Sequence, residues 1–179
     1  MAEAVAVLRP RGLPRPPAAA LRGAPWRGAG FVAVGFSDVD EEGATRAAAV
    51  PIDDGRVVLR GAIVGPVAPG RPPAGLVASL DRRFLVLWSP DDASGVLGHL
   101  AGAAWRGWTV DCRRLVGRAA GRLADDAELS IAVAAAAFRL PEPRPCDPLD
   151  LALASAELFL IAATRLEAAG AGTVADLLA

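Results

Sequence analysis

The chain has 179 residues, 53% of them hydrophobic, enough to bury one sizeable core and to argue for a single globular domain. Its formal net charge is -1, which excludes a global positive field drawing it to phosphate backbones and leaves only local basic patches open. It contains no Lys, Asn, Gln or Tyr and is rich in Ala, Arg, Gly and Pro. That bias is the mark of a GC-rich coding sequence, so arginine content alone is no sign of nucleic-acid binding.

Residues 1–28 carry Arg9, Arg11, Arg15, Arg22 and Arg27 against a single acid, Glu3, with prolines scattered among them. This composition predicts a flexible Arg/Pro-rich arm ahead of a domain spanning residues 29–179. Three strand-like segments follow, Phe31 to Phe36, Thr45 to Ile52 and Arg56 to Val64, with Asp53-Asp54-Gly55 as a tight turn between the second and third. They read as an antiparallel meander. Phe84 to Trp88 is a fourth strand, Ala93 to Ala104 a helix and Gly107 to Asp111 a fifth strand, and the rest is helical: Cys112 to Arg122, Ala127 to Phe138 and Pro148 to Ala169. The last helix carries its own punctuation, with Asp147 at the N-cap, Pro148 at the first helical position and Gly170 where a left-handed C-cap stands.

Cys112 and Cys146 show no CxxC spacing and no secretory leader precedes them, so a reducing cytoplasm is the expected setting. The apolar runs at 129–138 and 158–164 fall well short of the roughly 20 residues that span a bilayer. No membrane is expected as a partner. Phosphate-binding glycine loops of the Walker and dinucleotide types are not found. Trp88, Trp105 and Trp108 are of the kind that stacks bases, but beside strands and a helix they read first as core.

The segment Phe31-Val32-Ala33-Val34-Gly35-Phe36-Ser37 resembles the opening strand of the DEDDh-type 3'-to-5' exonucleases, relatives of the epsilon subunit of DNA polymerase III, except that a strand ending Asp-Phe-Glu there ends Gly-Phe-Ser here. Ala49-Val50-Pro51-Ile52, Val110-Asp111-Cys112 and Leu151 to Leu160 are similar to further segments of that family. The resemblance implies a ribonuclease H-like α/β fold, a mixed five-stranded sheet with flanking helices, shortened here between strands three and four.

In that family four carboxylates hold two divalent metals and a histidine serves as general base. Carried over in register, the acids fall on Gly35, Ser37, Ala93 and Leu151 and the histidine on Cys146. All five are substituted, and none offers a hard oxygen donor stronger than a serine hydroxyl. The resemblance therefore implies a catalytically inactive exonuclease-like domain that binds or assembles. No cofactor is expected. The alternative is a divergent nuclease that uses Mg²⁺ or Mn²⁺ on the neighbouring acids Asp38, Asp40, Asp92 and Asp150. Asp38, Asp40, Glu41 and Glu42 also fit a solvated loop, Asp91 and Asp92 a helix start, and Asp147 and Asp150 a cap and first turn. His99, the only histidine, reads as a surface or packing residue.

Ten residues, Ala74 to Arg83, stand where the family places a substrate-contacting loop and a full helix. They allow only a couple of helical turns. A partly bare apolar sheet face is therefore expected, with a second copy or another protein as its partner and nucleic acid as a further candidate.

Overall fold

A computed structural model describes residues 14–37, 45–67, 74–89, 107–121 and 129–178. Six strands form one mixed sheet: β1 (Phe31–Phe36), β2 (Thr45–Asp53), β3 (Arg56–Val57), β4 (Ile63–Val67), β5 (Phe84–Leu87) and β6 (Thr109–Asp111). The order is β3-β2-β1-β5-β6, with β4 also on β2. β1 runs antiparallel to β2 and parallel to β5, which in turn is parallel to β6. The helices are α1 (Ala74–Leu80), α2 (Cys112–Ala119), α3 (Ile131–Ala137), α4 (Pro148–Ala168) and α5 (Val174–Leu178). The chain is thus α/β, with helices flanking a mixed sheet. Among the described residues no helix is long and apolar enough to cross a membrane.

Strand alternation sends Phe31, Ala33, Gly35, Ala48, Val50, Ile52, Phe84, Val86 and Val110 to one face. There α2 and α4 cover them with Leu115, Val116, Ala152, Ala156, Phe159 and Ala163. Phe31 and Phe159 stand 4.8 Å apart between ring centroids. Each such buried ring contributes on the order of 1.5–3 kcal/mol over its exposed state. α4 is built as its caps predict: the Asp147 carboxylate accepts from Leu149 N at 2.9 Å, Pro148 opens the helix, and Gly170 beyond its end takes φ +97°.

The opposite face does not match the bare surface expected from the short segment. Val32, Val34, Ala47, Ala49, Leu85 and Leu87 are all buried there, in one cluster with Leu76 and Leu80 of α1. Among the described elements, α1 packs there against β2 and β4. A partner docked on this face has lost its physical reason.

The third strand, expected as one piece from Arg56 to Val64, is broken into β3 and β4 by a 3-10 turn at Leu59–Gly61. Pro51 explains the break. Its carbonyl accepts from Val58 N, so the side of Pro51 facing this strand should also carry an amide, and proline has none. The hairpin turn itself follows expectation, with Asp54 at φ 51° and Gly55 at φ 69°, the pair of left-handed residues of a two-residue hairpin.

The N-terminal segment is described from Pro14 onward. Residues 1–13 lie outside the described set, and from Pro14 the chain lies along the domain. Trp26 is 1% exposed, edge-on to Phe159 at 5.9 Å, and Pro25 bridges Thr173. Arg27 donates to Glu167 at 2.7 Å, Arg22 sits over the Trp108 ring at 4.4 Å, and Arg15 N donates to Asp81 at 2.8 Å. A large aromatic body inside a polar-looking segment outweighs the segment's composition. The helix expected from Ala93 to Ala104 lies outside the described residues, and α3 begins only at Ile131, after Ser130 accepts from Val133 N as its N-cap.

Candidate functional site

The C-terminal end of β1 meets the first turn of α4, which is where the resemblance puts its first and last acids. Gly35 faces the helix. A Cβ built on it would stand 2.7 Å from Ala152 N and 3.0 Å from Leu151 Cβ, and closer still to the Pro148 carbonyl oxygen. Two of these three atoms are backbone, so nothing flexible can give way. Positions 35 and 151 are therefore brought together, and the space between them is filled by main chain and by the half-buried Leu151.

Ser37 follows just past the strand. Its amide donates to Arg46 O at 2.9 Å, and its hydroxyl accepts from Arg46 N at 2.9 Å. The hydroxyl thus extends the β1–β2 ladder by one bond. Cys146, at the histidine position, is exposed with φ 65°, immediately before the N-cap of α4. Ala93, and with it Asp38, Asp40, Asp92 and His99, lies outside the described residues.

Of the displaced acids, Asp150 is described, and its carboxylate is already engaged. Arg144 donates to it from Nε at 2.6 Å, from Nη2 at 3.1 Å and from the backbone amide at 3.2 Å. The same guanidinium reaches Asp147 at 2.8 Å. The Arg144 side-chain hydrogen bonds hold the Asp150 carboxyl below its ordinary range, as charge-assisted bonds to the ionised form should. Among the described residues no three His, Cys, Asp or Glu side chains converge as a metal site. Arg144 is the residue the reading of motifs passed over. Its spacing, Arg144-x-x-Asp147-x-x-Asp150, was the available signal, because residues three apart near a helix start share a side.

The other thiol is inert by burial. Cys112 is fully buried, donates to Ser155 O at 3.5 Å, and burial pushes its pKa far up, which keeps it from the thiolate form that nucleophiles and ligands need.

No family model, no curated protein and no solved structure matches the chain. Its site has to be read from its own residues. What those residues form is a closed junction of strand and helix, flanked on one side by an arginine holding two carboxylates and on the other by a serine used for strand pairing.

Proposed function

We propose that the chain is a ribonuclease H-like, exonuclease-like domain that does not cleave nucleic acid and acts in binding or assembly. The observation that carries this reading is the contact at Gly35. With glycine at 35, the backbone of α4 occupies the volume that a side chain there would need. A carboxylate there would have to push the helix off the strand. The mixed sheet, and the convergence of positions 35 and 151 at the end of β1, agree with the register in which the resemblance was drawn. Asp150 speaks against the divergent nuclease, since a metal ion would have to displace Arg144 from three hydrogen bonds to reach it. The cytoplasm remains the proposed setting, which suits an exposed thiol at Cys146.

The test is an assay of Mg²⁺- and Mn²⁺-dependent trimming of labelled single-stranded DNA and RNA, beside a variant with Asp38, Asp40, Asp92 and Asp150 changed to Ala. No trimming by folded protein is expected. Metal-dependent trimming that the variant loses would overturn the reading and establish a relocated active site.

A further inference from the structure

The sheet edge beyond β2 combines two features that a merely solvated edge does not need. Leu59 is 62% exposed and Val64 40%, two of the three large apolar side chains most open to solvent among the described residues. Around them Arg46, Arg56 and Arg60 are exposed. Among the described residues none of these three arginines stands within ion-pair distance of a carboxylate. The carboxylates of the neighbouring hairpin are Asp53, taken by Arg83 through two hydrogen bonds, and Asp54 in the turn.

Among the described residues the outer side of β4 has no strand partner. β4 pairs with β2 in the register Thr45 to Val67, Ala47 to Gly65 and Ala49 to Ile63. Pro51 O faces the same side of β2, and main-chain groups alternate sides along a strand, so Ile63, Gly65 and Val67 point theirs inward and Val64 and Pro66 outward. Val64 therefore offers an amide and a carbonyl, and Pro66 a carbonyl alone. Cross-strand pairing puts Val64 opposite Ala48 and Pro66 opposite Arg46, on the face that α4 covers further in, while Arg56 lies opposite Asp53 on the other face.

We propose that this edge docks an extended, acidic segment of a partner protein alongside β4. Its carboxylates meet Arg46, Arg56 and Arg60, and its apolar side chains cover Val64 and Leu59. The alternation of a strand sends successive side chains to both faces, which matches cations placed on both. Charge argues against a second copy, because pairing two such edges would set arginine against arginine. Chemistry argues against single-stranded nucleic acid, because the segment Thr45 to Val67 contains no aromatic residue on which bases stack. The proposal deepens the binding half of the reading above but stands on the edge, not on Gly35. Nuclease activity would sink the earlier reading and leave this one, and failure of peptide binding would do the reverse.

The experiment is to pan a phage-displayed library of random linear peptides on the folded chain and titrate the enriched sequences, as labelled synthetic peptides, by fluorescence anisotropy. Enriched peptides are expected to be acidic with alternating Val or Ile, to bind less tightly as salt rises, and to lose about tenfold or more in affinity to Arg46→Glu with Arg60→Glu. Arg60→Gln alone, in a turn outside the ladder, should give a smaller loss in the same direction while the melting temperature stays put. No enrichment, enrichment of neutral or basic peptides, or affinity indifferent to both variants would overturn the proposal. So would tighter binding of an oligothymidylate, or a concentration-dependent dimer in sedimentation that Arg46→Glu with Arg60→Glu abolishes.

Discussion

The junction of β1 with α4 and the β3–β4 edge are the two sides of β2's neighbourhood, and they are built on opposite rules. At the junction the side chains are small or missing, Gly35, Ala48, Ala152 and Ala156, and backbone comes against backbone until no volume is left. At the edge the side chains are long or bulky, Arg46, Leu59, Arg60 and Val64, and they stand in solvent. The first region leaves no room beside its backbone, and the second keeps apolar groups in contact with solvent. The difference teaches where to look for activity in a domain like this one. Among the described residues the strand–helix junction is closed, and the sheet's ragged edge is open to solvent.

If that contrast is right, substitutions on the packed side should be costly and substitutions at the edge nearly silent. Phe159→Ala should show the largest effect, because the ring is fully buried between Trp26 and Phe31. A loss of about 3–5 kcal/mol is expected in chemical denaturation. Gly35→Ala should follow at about 1–3 kcal/mol, the cost of overpacking against atoms that cannot move aside. Gly35→Asp should be worse and should gain no affinity for Mn²⁺ by calorimetry. A Gly35→Ala protein as stable as the parent would show that α4 is not seated where its contacts imply, and the contrast would fail.

Acid provides a third probe. Arg144 lowers the pKa of Asp150 and Arg27 that of Glu167, in each case chiefly through side-chain hydrogen bonds. A carboxylate whose folded pKa is depressed contributes stability that is whole above its ordinary pKa of about 4 and is lost as pH falls through the folded value. The parent should therefore lose stability below about pH 4. Arg144→Ala combined with Arg27→Ala should lower stability at neutral pH and change it little once both carboxylates are protonated, which flattens the acid limb, as thermal melts across pH would show. Last and smallest, Leu59→Ser should shift stability by no more than about 0.5 kcal/mol. A large loss there would mean that Leu59 is packed and unable to dock anything.

Local chemistry made much of the fold readable before any coordinates. Asp147, Pro148 and Gly170 each fix one backbone position by their own bonding or steric character, and α4 starts and stops where they say. The same holds for the Asp54-Gly55 turn and for the apolar runs of β1, β2 and β5. What was not legible depends on a partner distant in sequence. Nothing local to Arg56–Val64 says that Pro51 will sit opposite and withhold an amide. Nothing in an Arg- and Pro-rich arm says that Trp26 will find Phe159, 133 residues on, though a tryptophan is a reason to expect burial. The candidate site divides the same way. Positions 35 and 151 could be placed together by register, whereas the closure between them follows from the approach of two elements. The capture of Asp150 by Arg144 depended on a residue the motif does not contain.

The two cysteines differ in a way that is of practical use. Cys112 is sealed in the core with its thiol turned to Ser155 O, and Cys146 stands in solvent one residue before the α4 cap. A maleimide dye or nitroxide added to the native protein should therefore attach at one position only, without any mutation. That position stands just before the helix turn that packs against Gly35. A single label there turns the seating of the long helix into a signal that can be followed through heating, acid or an added partner.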